Sequence, residues 1–171
     1  MDEKIIESLE KKIKDLNKSK SLLTFMKEVG VSFKDASIIN AYGIATFDSI
    51  FLDIEKLTND VPERLFYFII LHEIAHYKRI KKMGREAVIK NLSSDDMDIL
   101  HKHLLYEEIF ADRYASLLYY RLTGELYPKT LTQQLDNPFR QEEYRIVSKT
   151  IFGRIQNDEN KYNELLNSFI K

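Results

Sequence analysis

Residues 65–76 read Leu65-Phe66-Tyr67-Phe68-Ile69-Ile70-Leu71-His72-Glu73-Ile74-Ala75-His76, and this stretch decides the fold. Its first seven residues are apolar on every side of a helix, so that helix is expected to be central and buried. Pro62 suits the first turn, and Glu63 is favourable at the positive end of the helix. Two histidines and a glutamate follow the apolar run directly. Burying such groups without partners costs a few kcal/mol, a conflict that a metal ion and a solvent cleft would resolve. His72 and His76 are four residues apart, one turn on the same helical face, with Cβ atoms about 5–6 Å apart. At that separation two imidazoles can reach a single ion.

The pattern His72-Glu73-x-x-His76 is the H-E-x-x-H arrangement that holds zinc in many peptidases, with the glutamate as general base. By composition, chance places it in roughly 1% of chains like this one, where it would be a core helix with satisfied histidines. A second stretch argues against chance: Glu107-Glu108-Ile109-Phe110-Ala111-Asp112-Arg113-Tyr114-Ala115. A site with two histidines and a glutamate takes its third ligand from elsewhere in the chain. Histidines on a metal also need a carboxylate or carbonyl on the other ring nitrogen. Glu108 and Asp112 share a helical face, so one can bind the metal while the other orients a histidine.

The two stretches together, H-E-I-A-H followed by E-x-x-A-D-x-x-A, resemble the gluzincin metallopeptidases. They are most similar to the small ImmA/IrrE-type and other minimal zinc peptidases of bacteria and phages. The resemblance spans residues 65–82 and 104–118, about a fifth of the chain. It implies a zincin-like α+β core, mostly helical with a small antiparallel or mixed sheet, and one Zn2+ per chain. It implies metal ligands His72, His76 and Glu108, with Asp112 behind a histidine and Glu73 as the catalytic base. It further implies that an edge strand beside the metal helix pairs with an extended protein or peptide substrate, and residues 44–54 are the candidate. Leu117-Leu118-Tyr119-Tyr120 departs from the Leu-Leu-Met-Pro common in ImmA/IrrE chains. Arg79 stands where the metzincin pattern has glycine. SprT-like zincins use a third histidine, for which His101 and His103 are the candidates. Glu108 is favoured over both because only it comes with a matching Asp112. Tyr119, Tyr120 and His103 are candidates to polarise a substrate carbonyl. Glu107, turned about a quarter-circle from Glu108, reads as a solvated charge. The competing readings are a metal-bearing regulatory or binding protein without turnover, and a helical structural protein with a chance motif.

Composition bounds the rest. The 171 residues, 44% hydrophobic and 31% charged, fit one globular domain. A net charge of −1 gives no global attraction to nucleic acid or anionic membrane. Zero Cys excludes disulfides, thiolate metal sites and a cysteine nucleophile. The charged N-terminus and the shortness of the apolar run, against the ~20 residues of a membrane span, predict a cytoplasmic protein with no membrane partner.

Periodicity predicts a helical segment over 1–30, bent or broken by polar residues 17–21 and stopped by Gly30. Strands are expected within 36–54, metal-binding helices over 62–123 and C-terminal helices over 137–171. The basic residues Lys78, Arg79, Lys81, Lys82, Arg85 and Lys90 read as a solvated helix end facing the negative pole of the dipole.

Overall fold

The computed structural model describes residues 2–39, 41–93, 95 and 97–125, and within these the side chain of His101 and several of its neighbours are not described. The helices expected at 137–171 lie outside the described residues. In chain order the elements are helices α1 (Glu3–Lys12) and α2 (Leu16–Val29), strands β1 (Ser32–Asp35), β2 (Gly43–Ala45) and β3 (Ser49–Leu52), then helices α3 (Ile54–Asp60), α4 (Glu63–Met83), α5 (Arg85–Leu92) and α6 (Met97–Thr123). The described chain is mostly helical with one small mixed sheet, an α+β arrangement.

Aspartate caps start the first two helices. The Asp2 carboxylate accepts from the Lys4 amide, and Asp15 accepts from the amides of Asn17 and Lys18. Such caps satisfy amides that have no partner inside the helix. The break in the N-terminal segment therefore falls at residues 13–15, before the second cap, and not at the expected 17–21. Ser19 and Ser21 sit inside α2: Ser19 is buried, and the Ser21 hydroxyl donates to the Leu122 carbonyl at 3.4 Å. Gly30 ends α2 in the left-handed conformation, φ 69°, which glycine adopts without a Cβ penalty.

The sheet order is β1-β3-β2, with β1 parallel and β2 antiparallel to β3. This corrects the expected strand region in three ways. β1 lies earlier, at Ser32–Asp35, and the described residues of the β-prone stretch 37–42 are irregular. β3 is the central strand, so only the start of the 44–54 candidate lies on an edge. Ile54 belongs to α3, because Asp53 leaves the strand to cap that helix by accepting from the Lys56 amide. Asp53 also accepts from the Ile38 amide at 2.9 Å, and its own amide donates to the Tyr42 carbonyl at 2.9 Å. One residue thus pins the β1–β2 connection and the start of α3.

α4 begins directly after Pro62, as its sequence predicts, and Phe66 through Ala75 are all buried. It packs along α6 on one side and against β2 and β3 on another, while α1 covers β1. The α4–α6 pair is antiparallel: Tyr67 meets Tyr119 and His72 meets Asp112. α6 is unbroken through Glu107, Glu108 and Asp112, and α5 fills part of the basic stretch read as a helix end. Among the described residues, no helix is long and apolar enough to cross a membrane.

Candidate metal centre

His72, Glu73 and His76 occupy the middle of α4, where the apolar run ends and the helix meets a cavity of about 450 Å³. The Nε2 atoms of His72 and His76 are 3.0 Å apart. From α6, Glu108 reaches both, with Oε2 3.2 Å from His72 Nε2 and Oε1 3.3 Å from His76 Nε2. A tetrahedral ion with bonds of about 2.0–2.1 Å separates its ligand atoms by roughly 3.3 Å. The three groups can therefore share one metal ion with little movement. Their chemistry also fits, since two imidazoles and a carboxylate are a known zinc ligand set.

Asp112, fully buried, sits behind this set, with Oδ1 2.9 Å from His72 Nδ1. A proton on Nδ1 then donates to Asp112 and leaves the Nε2 lone pair directed at the cluster. Burial works against a charged His72, but Asp112 and Glu108 outweigh it and lift its pKa to about 10. Burial pushes the Glu108 carboxyl up, yet hydrogen bonds with His72 and His76 leave it well below the usual range. The cluster thus attracts a cation, either a proton or a metal.

Glu73 lies outside the three-ligand set but lines the same cavity. Only 8% exposed, its carboxyl is pushed up by burial, with the two histidines acting in the opposite direction. β2 lies directly against it: a Cβ on Gly43 would fall 2.6 Å from Glu73 Cγ.

Other candidate residues separate clearly. His103 lines the cavity, outside the three-ligand set, and its Nε2 is buried with no hydrogen-bond partner among the described residues. The side chain of His101 lies outside the described part. Tyr119 is far from the cluster, packed edge-on against Tyr67 with ring centroids 5.3 Å apart. Tyr120 is exposed. Glu107 is no solvated charge, because Arg79 grips both its oxygens at 3.1–3.3 Å. The Arg79 guanidinium also lies over the rings of Tyr106 and Phe110, at 5.8 and 5.1 Å. Arg85 lies over Phe47 and Lys81 over Tyr77, so part of the basic stretch is engaged with the protein and is not simply solvated.

Sequence reasoning passed over Gly43. Its φ is not in the left-handed region, and nothing local in the sequence connects it to Glu73. Compared with protein-family models, with curated proteins and with solved structures, the chain matches none.

Proposed function

We propose that this chain is a zinc metallopeptidase of gluzincin type with a zincin-like core, cleaving a peptide bond in a selected protein or peptide partner. One observation carries the reading. His72, His76 and Glu108 converge from two helices at tetrahedral spacing, while Glu73 opens onto the same cavity. Zinc in this set supplies Lewis acidity, polarising the scissile carbonyl and lowering the pKa of the attacking water toward ~7.

The protein's own groups do the rest. Asp112 holds the His72 ring, so that its Nε2 stays available. The Glu73 carboxylate takes the proton of the attacking water and delivers it to the leaving amine as the C–N bond breaks. Burial favours this exchange, because a raised carboxyl pKa brings acceptance and return of the proton closer in energy. His103, alone among the three candidates on the cavity wall, donates to the carbonyl oxygen. The edge strand β2 offers main-chain groups to an extended segment. The half-exposed Tyr42, Ile44 and Leu104 at the cavity suit apolar side chains on that segment.

The test is zinc content and hydrolysis in wild type and Glu73→Gln, purified without chelator or metal-affinity resin. Both proteins should hold about one zinc per chain, and the variant should lose nearly all hydrolysis while trapping the uncut partner. A Glu73→Gln protein that cleaves the trapped partner as fast as wild type defeats the reading. So does wild-type protein without stoichiometric zinc.

A further inference from the structure

We propose that Gly43 is a positioning residue, the absent side chain that lets edge strand β2 close over Glu73 and hold its carboxylate toward the cavity. The proposal deepens the peptidase reading and rests on it for its catalytic meaning.

Glycine in a strand ordinarily needs a reason, since it has no side chain to pack and loses more backbone entropy than other residues on folding. Left-handed backbone is not the reason here. The described glycines with positive φ are Gly30, Gly84 and Gly124, while Gly43 has a conformation open to any residue. The space is the reason. A Cβ at position 43 would lie 2.6 Å from Glu73 Cγ, 2.9 Å from Cδ and 3.1 Å from Oε1. The first two lie below any normal carbon–carbon contact, and Cγ cannot swing clear without the whole side chain changing rotamer. Glu73 is buried, so few alternative rotamers are open to it.

The strand itself is held firmly. Tyr42 O accepts from the Asp53 amide, and the Thr46 amide donates to Ser49 O. Hydrogen-bonded pairs alternate along an antiparallel ladder. Pairs 42:53, 44:51 and 46:49 are therefore the bonded ones, and the main-chain groups of Gly43 and Ala45 point away from β3. The Ala45 amide acts on Glu73, opposing the upward push of burial on its carboxyl. β2 thus supplies a gap at residue 43 and an amide at residue 45, and Asp53 anchors it in place. A carboxylate confined in this way loses little orientational freedom when it accepts a proton.

The experiment is a double-variant cycle of Gly43→Ala and Glu73→Ala, read by thermal midpoint, by the Ala45 amide resonance and by turnover of the trapped partner. Gly43→Ala should lower the midpoint in wild type and leave it nearly unchanged in Glu73→Ala, because the clash is then gone. In Gly43→Ala the Ala45 amide proton should move toward its position in Glu73→Ala, and zinc content should stay at wild-type level. Turnover should fall by about 10²-fold, the scale of a 1 Å misplacement, with KM little changed. Equal loss of midpoint in both backgrounds, or an unfolded protein in both, overturns the proposal, because Gly43 then serves the strand alone. An unmoved Ala45 resonance, or wild-type turnover in Gly43→Ala, overturns it as well. If wild type hydrolyses nothing, the peptidase reading falls, and the midpoint and resonance still decide whether Gly43 places the carboxylate.

Discussion

The two ends of the α4–α6 seam each hold a glutamate from the later chain, and the two are neutralised in different ways. At one end, Glu125 just past α6 meets Lys18 at 2.6 Å and Arg64 at 2.9 Å. Those cations are permanent at neutral pH, so they satisfy the carboxylate and leave nothing for a ligand to do. At the other end, Glu108 meets two imidazole nitrogens that carry charge only when protonated. A metal ion can displace those protons, and two lone pairs and a carboxylate then face one point, which an ammonium and a guanidinium cannot offer at neutral pH. The comparison separates a structural ion cluster from a group that could hold a metal ion by the kind of partner, where burial alone would mislead. Glu108 is, if anything, the more exposed, at 50% against 37% for Glu125.

The sharpest way to break this contrast is to remove one member at each end and measure zinc by mass spectrometry or atomic emission. His72→Ala, His76→Ala and Glu108→Ala should each lose most of the bound zinc, whereas Glu125→Ala should keep it. Chelation should also destabilise wild type, since a ligand at a thousand times its Kd stabilises by about 4 kcal/mol. Zinc retained in Glu108→Ala would erase the distinction between the ends.

Next in size is the residue behind the ligands. Asp112→Ala should weaken zinc binding by roughly 10–100-fold, read by competition with a chromophoric chelator. An unchanged affinity would leave the His72–Asp112 contact as packing only.

A smaller effect belongs to the clamp beside the cluster. Arg79→Ala removes a two-oxygen grip on Glu107 and two ring contacts, and should cost roughly 1–3 kcal/mol in denaturant unfolding. Zinc should remain near one per chain, as it should in Glu107→Ala.

The smallest effect is expected at the far end, and pH distinguishes the two ends. Lys18 and then Arg64 hold the Glu125 carboxyl below its usual range. Its contribution is therefore present above the unfolded pKa of about 4.3, and is lost as pH falls through the lower folded value. Between pH 6 and 9, Glu125→Gln should shift the thermal midpoint by a small constant amount that salt reduces. Zinc affinity behaves otherwise over that interval. The pKa of His72 is raised to about 10, so a proton competes with the metal and apparent affinity should climb as pH rises. An affinity that is flat from pH 6 to 9 would remove His72 from the ligand set.

The helical half of the site was legible because helix geometry is local. Spacings of four within His72–His76 and Glu108–Asp112 determine which side chains share a face, whatever surrounds them. The start of α4 and the stop at Gly30 were legible for the same reason, as was the mixed α+β class. What crosses between elements was not legible. Glu107 read as solvated because its angle on α6 is local information, whereas Arg79 reaches it from another helix. Tyr119 and His103 looked alike as candidates until the antiparallel seam set Tyr119 beside Tyr67, more than a helical turn from His72, and left His103 on the cavity wall. β1 has only four residues, two of them charged, and carries no periodic signal. α3 was hidden because Asp53 extends the apolar alternation of β3 while serving as a helix cap.

The brevity of β2 bears on self-assembly. A free sheet edge is where another copy of a chain can add a strand, and long flat edges propagate such additions into fibres. β2 offers three residues, one of them a glycine, and only Gly43 and Ala45 turn their main-chain groups outward. The opposite edge strand, β1, packs against α1. A strand added at β2 gains too few ladder bonds to persist by backbone pairing alone. Lasting contact there has to draw on side chains that fit the adjoining cavity.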